Sequence, residues 1–118
     1  MKLNRGDVVM TRFPHARGLR GKKRPALVVQ ADAYNAKVGH VLIAEITTNL
    51  TAANDPAFVL IDIATPEGKA SGLDQNSLVS GLFLATVFSD RIDRVIGQLS
   101  AGLLQKVNAC LQTALGLP

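Results

Sequence analysis

The residues best equipped for chemistry lie near the front of the chain. Between Pro14 and Pro25 stand His15, Arg17, Arg20, Lys22, Lys23 and Arg24, with no acid among them. Residues 1–30 hold eight Lys/Arg against one acid, Asp7, whereas residues 31–118 hold five against eight, so the net charge of +4 is unevenly spread. A field this lopsided suits an anionic partner. The same residues also make a solvated loop that keeps a protein soluble, and composition does not choose between the two. A second polar group, Thr47, Thr48 and Asn49, closes the apolar run that starts at His40. Within that run Glu45 needs an exit to solvent or a partner; His40 has no motif around it. The chain carries no glycine fingerprint for phosphate, no cluster of metal ligands and no Ser/His/Asp triad spacing.

The elements that must position these groups are short strands. Asp7 to Phe13 reads as a strand ended by Pro14, and residues 14–23 as a loop without apolar periodicity. Pro25 to Gln30 is a second strand with Pro at its first position. Residues 31–39 connect, with room for one helical turn, to a third strand from His40 to Thr47. That strand is apolar almost throughout, as expected when both faces are covered. Residues 48–56 are turn-rich, Phe58 to Ile63 is strand four, and Thr65 to Asp74 is a loop. Ser77 to Val87 is a strand with Gly81 inside it, a sign of a bulge or sharp bend. A turn at Ser89 to Arg91 leads into a last strand, Arg94 to Leu99.

From Ser100 the period changes. Leu103, Leu104, Val107, Cys110, Leu111, Ala114 and Leu115 form a helical stripe, with Ser100 as N-cap and Gly116 as stop. Cys110, the one cysteine among 118 residues, falls in this stripe and reads as a small core residue in a reducing compartment. The N-terminus lacks the apolar stretch of a signal peptide, and no run approaches the ~20 residues that span a bilayer. These features predict one cytoplasmic domain over residues 1–118, with no membrane contact. Its expected form is a compact, bent barrel of mainly β structure with a C-terminal helix across one end.

Three stretches carry a family resemblance. GDVVMTRFP followed by KKRPALVVQ (residues 6–14 and 22–30) resembles the opening of MazF/PemK toxins. VLIAEITTN (residues 41–49) is similar to that family's third strand. SLVSGLFLATV and RVIGQLSAGLLQKV (residues 77–87 and 94–107) resemble its late strand, the strand end that follows and its terminal helix. The resemblance implies an SH3-like barrel of the CcdB/PemK type, an α+β homodimer neutralised by a cognate antitoxin. It also implies a metal- and cofactor-independent endoribonuclease acting on single-stranded mRNA.

The family's catalytic Arg and Thr fall on Arg24 and Thr47. By residue type alone, Arg24 is a surface cation and Thr47 a β-branched strand residue. Attack of a 2′-hydroxyl on the adjacent phosphate builds negative charge on a phosphorane, which a guanidinium can meet with two parallel hydrogen bonds. Arg17, Arg20, Lys22 and Lys23 fit an electrostatic funnel along RNA phosphates, contacts that position a strand without reading its bases. His15 either shares that role or is a plain loop residue; Thr48 and Asn49 extend the groove or begin a turn.

Some relatives carry Arg and Asp where this chain has Ser80 and Leu82, and some place a Glu in the first loop, where this chain has no acid between Asp7 and Asp32. Those departures keep an alternative open: a degenerate barrel that binds RNA or an antitoxin without cutting. A CcdB-like gyrase poison is disfavoured because that reading rests on a C-terminal Trp, and this chain has none.

Overall fold

The computed structural model describes residues 1–14 and 22–118. The strands are β1 (Asp7–Thr11), β2 (Arg24–Val28), β3 (His40–Thr47), β4 (Phe58–Ile61), β5 (Ser77–Phe88) and β6 (Arg94–Gln98). They form one curled antiparallel sheet in the order β4-β5-β3-β2-β1-β6. Three α-helices, α1 (Asp32–Asn35), α2 (Pro66–Ala70) and α3 (Ala101–Leu115), and one 3-10 turn (Ser89–Arg91) between β5 and β6 complete the element order of the described residues.

Side chains alternate along each strand, so the sheet feeds two apolar clusters. Val8, Leu27, Ala44 and Ile46 join Leu103, Val107 and Cys110 of α3 in the first. Val9, Ala26, Val28, Val41, Ile43 and Val87 form the second, closed by Leu3, Phe13 and Ile92. The central strands are therefore buried on both faces, which accounts for their nearly unbroken apolar runs.

Helix α3 follows the predicted stripe. The Ser100 hydroxyl accepts from the Leu103 N–H at 3.2 Å, and Gly116 ends the helix at φ +68° with the Leu117 N–H bonded to Gln112 O at 2.8 Å. Cys110 is buried, its Sγ–H donates to Ala57 O at 3.0 Å, and loss of solvent pushes the thiol pKa up. This thiol is a core group. The bulge expected at Gly81 is present as a register shift in the β3–β5 ladder between Ala44 and Ile46. A Cβ on Gly81 would stand 2.9 Å from Cys110 Sγ and 3.0 Å from Ala114 Cβ, so the missing side chain lets α3 settle on β5.

The sequence reading differs from the structure mainly at residues 65–74. Instead of a plain loop this stretch holds α2, capped by the Thr65 hydroxyl, which accepts from the Gly68 N–H at 3.0 Å. Pro66 and Glu67 in its first turn are ordinary helix-start residues, but five residues are too few to show periodicity. Strand four also stops earlier than expected, at Ile61, because the Asp62 carboxylate turns the chain by accepting from the Ala64 N–H at 2.9 Å.

Helix α2 has a structural task. The edge strands β4 and β6 are not hydrogen-bonded neighbours, and the chain leaving α2 fills the seam against β6. A Cβ on Gly97 would lie 2.3 Å from the carbonyl of Ser71, and one on Gly72 (φ +76°) would lie 2.0 Å from Ile96 O. Glu67 ties the seam to α3 by accepting from the Ser100 hydroxyl at 2.8 Å.

Two glycines should therefore respond oppositely to alanine. Gly97→Ala must push backbone from backbone and should cost about 1–3 kcal/mol, as for an overpacked core. Gly102, on α3, has only Glu67 Oε2 and Ser100 Oγ near its missing Cβ, at 3.7 and 3.9 Å. Gly102→Ala should stabilise by about 0.4–1 kcal/mol through the unfolded chain. Urea unfolding of both variants checks the sign of each effect.

Candidate functional site

The β1–β2–β3 ladder brings the predicted pair together. Arg24 pairs with Thr11 of β1, and β2 meets β3 through Ala26↔Glu45, Leu27↔Ala44 and Val28↔Ile43. Carrying that register two residues further sets Arg24 opposite Thr47. Residues directly opposite share a face, with Cβ atoms ~4.5–5.5 Å apart. Val9, Ala26 and Glu45 form a cross-strand row on the face of the second cluster, and the Thr11↔Arg24 pair lies two residues further along, toward the end of β3 that carries Thr47.

Arg24 is exposed and makes no side-chain hydrogen bond or ion pair with any described residue. Among the described residues nothing occupies its guanidinium, which suits contact with an outside anion. Thr47 is half-buried, and its hydroxyl accepts from the Asn49 N–H at 3.1 Å. Asn49 Oδ1 in turn accepts from the Thr51 N–H at 3.0 Å and from the Thr51 hydroxyl at 2.6 Å. These short-range bonds turn the chain sharply at the end of β3.

Beside the row lies a cleft of about 220 Å³, lined by Glu45, Thr47, Asn49, Thr51, Phe58 and Phe83 among others. Asn49 therefore both closes the turn and borders the cleft. Thr48 is exposed but is not part of the described lining. The sequence reading missed Phe58 and Phe83, and left Glu45 between an exit and a partner. Glu45 takes the exit: it is half-buried, opens into the cleft, and has no described hydrogen-bond partner. An acid inside an apolar strand was the one signal available for it. The lining Phe residues had none, since aromatic residues in strands usually enter the core.

The basic residues divide. Lys22 is exposed without a described partner, whereas Lys23 Nζ lies 2.9 Å from Asp93 Oδ1, and Asp93 also bonds Arg94. Lys23 borders a second depression of about 250 Å³ with Arg12 and Arg91. His15, Arg17 and Arg20 lie outside the described residues. Of the two family departures, Ser80 is fully buried, its hydroxyl accepting from the Leu82 N–H at 3.1 Å, and Leu82 is exposed.

Comparison with known proteins agrees with this architecture. Residues 4–115 match the model of the "PemK-like, MazF-like toxin of type II toxin-antitoxin system" family. The chain is 31% identical over 97 residues, 81% of each chain, to endoribonuclease MazF6 of Mycobacterium tuberculosis. It is 30% identical over 118 residues to endoribonuclease EndoA of Bacillus subtilis, covering 99% of this chain and 97% of that one. Among solved structures, a mycobacterial endoribonuclease in complex with its cognate antitoxin superposes with a TM-score of 0.78 at 24% identity, over 98% of this chain and 97% of that one. MazE–MazF from Deinococcus radiodurans superposes at 0.74 with 22% identity, over the whole of both chains. The chain belongs to the PemK-like, MazF-like family of type II toxin–antitoxin toxins.

The Asp93 ion pairs give a prediction on charge. Hydrogen bonds from Lys23 first, and Arg94 second, hold the Asp93 carboxyl below the ordinary carboxylate range. A depressed folded-state pKa adds stability above the unfolded value, and that stability is lost as pH falls through the folded one. Because the group lies at the surface, the effect on folding should be slight. Lys23→Ala should move the Asp93 titration upward in a carboxyl-detected NMR experiment, and no upward movement would mean that the pair does not persist in solution.

Proposed function

We propose that this chain is the toxin of a type II pair and that it cuts single-stranded RNA without a metal or other cofactor, with Arg24 and Thr47 as its catalytic residues. The observation that supports the reading is that Arg24, exposed and without a partner among the described residues, starts β2 two residues from the Ala26↔Glu45 pair, while Thr47, two residues beyond that pair on β3, borders an open cleft. In this mechanism the substrate's 2′-hydroxyl attacks its own phosphate, the 5′-oxygen leaves, and a 2′,3′-cyclic phosphate remains. Arg24 donates to the equatorial oxygens as charge grows, and Thr47 holds the phosphate in line by a further hydrogen bond. Lys22, Lys23, Arg17, Arg20, His15, Thr48 and Asn49 track the flanking strand. Partners are single-stranded mRNA and a cognate antitoxin; the antitoxin is inferred by analogy with the mycobacterial and Deinococcus complexes. Among the described residues no helix is long and apolar enough to cross a membrane.

A second reading has one observation in its favour. Ser80 is buried and Leu82 is apolar, so the late strand offers no charged group at those positions, as expected of a barrel that binds RNA or antitoxin without cutting. Kinetics separate the two. Arg24→Ala should lower single-turnover cleavage by about 10²–10³, the usual loss of one oxyanion donor. Thr47→Ala should cost less, because water can replace a hydroxyl in part, and a strong chelator should leave the rate unchanged. Full activity in Arg24→Ala, or abolition by chelator, would overturn the mechanism.

The active species in this reading is a homodimer. Leu82 on β5 follows Gly81, which touches Ala114 near the end of α3, where Leu115 and Leu117 are also exposed. An apolar face of this kind needs cover. Sedimentation at micromolar concentration should give twice the 12.5 kDa chain mass, and a persistent monomer would remove the dimer from the reading.

A further inference from the structure

Glu45 and Phe83 are not used by the cleavage chemistry, yet both open into the cleft beside Thr47. Phe83 is 52% exposed, although an aromatic ring on β5 would ordinarily be drawn into a core. Glu45 lies at the register shift of the β3–β5 ladder, between the Ala44↔Leu84 and Ile46↔Val79 pairs, and Phe83 belongs to the stretch of β5 between the same two pairs. A half-exposed ring and a carboxylate without a partner among the described residues therefore border the same cleft as Thr47. Phe58 and Asn49 complete the walls used here.

We propose that this cleft holds one unstacked RNA base next to the scissile phosphate and selects a base that carries an amino group, cytosine rather than uracil. Phe83 supplies the stacking surface, which every base can use because every base has a π-face. Glu45 supplies the discrimination. A carboxylate only accepts hydrogen bonds, so it takes the exocyclic N–H of cytosine and faces a carbonyl oxygen where uracil has O4. Single-stranded RNA exposes the edge that such a contact needs. Glu45 makes no hydrogen bond or ion pair with the described residues, and Phe83 leaves half its surface to solvent, so both have capacity left for a ligand.

The inference rests on the RNA-cutting reading for its location but is tested by binding. Oligocytidine and oligouridine of equal length are titrated by fluorescence anisotropy against the wild type, Glu45→Gln and Phe83→Ala. The wild type should prefer oligocytidine by at least about fivefold, the low end for one good base contact. In Glu45→Gln, whose amide both donates and accepts, the ratio should fall towards one. Phe83→Ala should weaken both ligands by a similar factor, about fivefold or more, and leave their ratio in place. A wild-type ratio near one, or a ratio unchanged by Glu45→Gln, overturns the inference. Cleavage of a mixed-sequence RNA by the same proteins separates the two ideas. Cleavage with no cytosine preference removes only the base pocket, whereas the preference without cleavage removes only the catalytic reading.

Discussion

The pairing of β2 with its two neighbours is the constraint on which the rest depends. Side chains alternate with a period of two, so a slip of one residue would turn Arg24 away from the Thr47 face. It would also exchange Ala26 and Val28 with Leu27 between two differently shaped clusters, and all three are fully buried. Burial on both faces is what fixes the register here, because neither side of β2 can be offered to water. The position of the proposed catalytic Arg24 is thus a by-product of core packing: it lies at the strand end, two residues beyond the last of the pairs that lock β2 to β3.

That core has to close around a sheet whose edge strands do not pair. Small residues make closure possible on both sides. Gly97 and Gly72 let the chain after α2 press against β6, and Gly81 lets α3 approach β5. Glu67 and Ser100 then link the two closures at the start of α3. The bulge near Gly81 also interrupts the β3–β5 ladder next to Glu45, a place where bulges commonly re-aim side chains. One local irregularity therefore serves packing on the helix side and opens the cleft on the other.

Much of this was legible in the sequence because it depends on periodicity. The α3 stripe, its Ser100 and Gly116 ends, the six strands and the bulge at Gly81 are local signals, and the structure has them all. Arg24 and Thr47 were reached through motif resemblance; type and spacing alone left each as an ordinary surface or strand residue. What could not be read depends on long-range contact. Helix α2 is too short for a period, and the pairing of Lys23 with Asp93 spans 70 residues of sequence. Phe83 and Glu45 share a cleft where β3 and β5 meet across a register shift that no single strand encodes.

The position of Glu45 near the proposed phosphate site raises an electrostatic question that magnitudes can settle. A diagonal neighbour across two strands lies ~7–8 Å away. At that range a carboxylate repels a phosphate charge by about 0.6 kcal/mol in water and about 2.4 kcal/mol at an effective dielectric of 20. In the proposed mechanism Arg24 meets the same phosphate at hydrogen-bonding distance with a permanent charge, and the basic excess of residues 1–30 adds to its field. The acid therefore weakens phosphate attraction without cancelling it. Its cost falls on every RNA equally, whereas a hydrogen bond to an amino group offsets that cost only for some bases. An arrangement of this kind converts general affinity for RNA into selectivity, since the wrong base leaves the charge both repelled and unpaired.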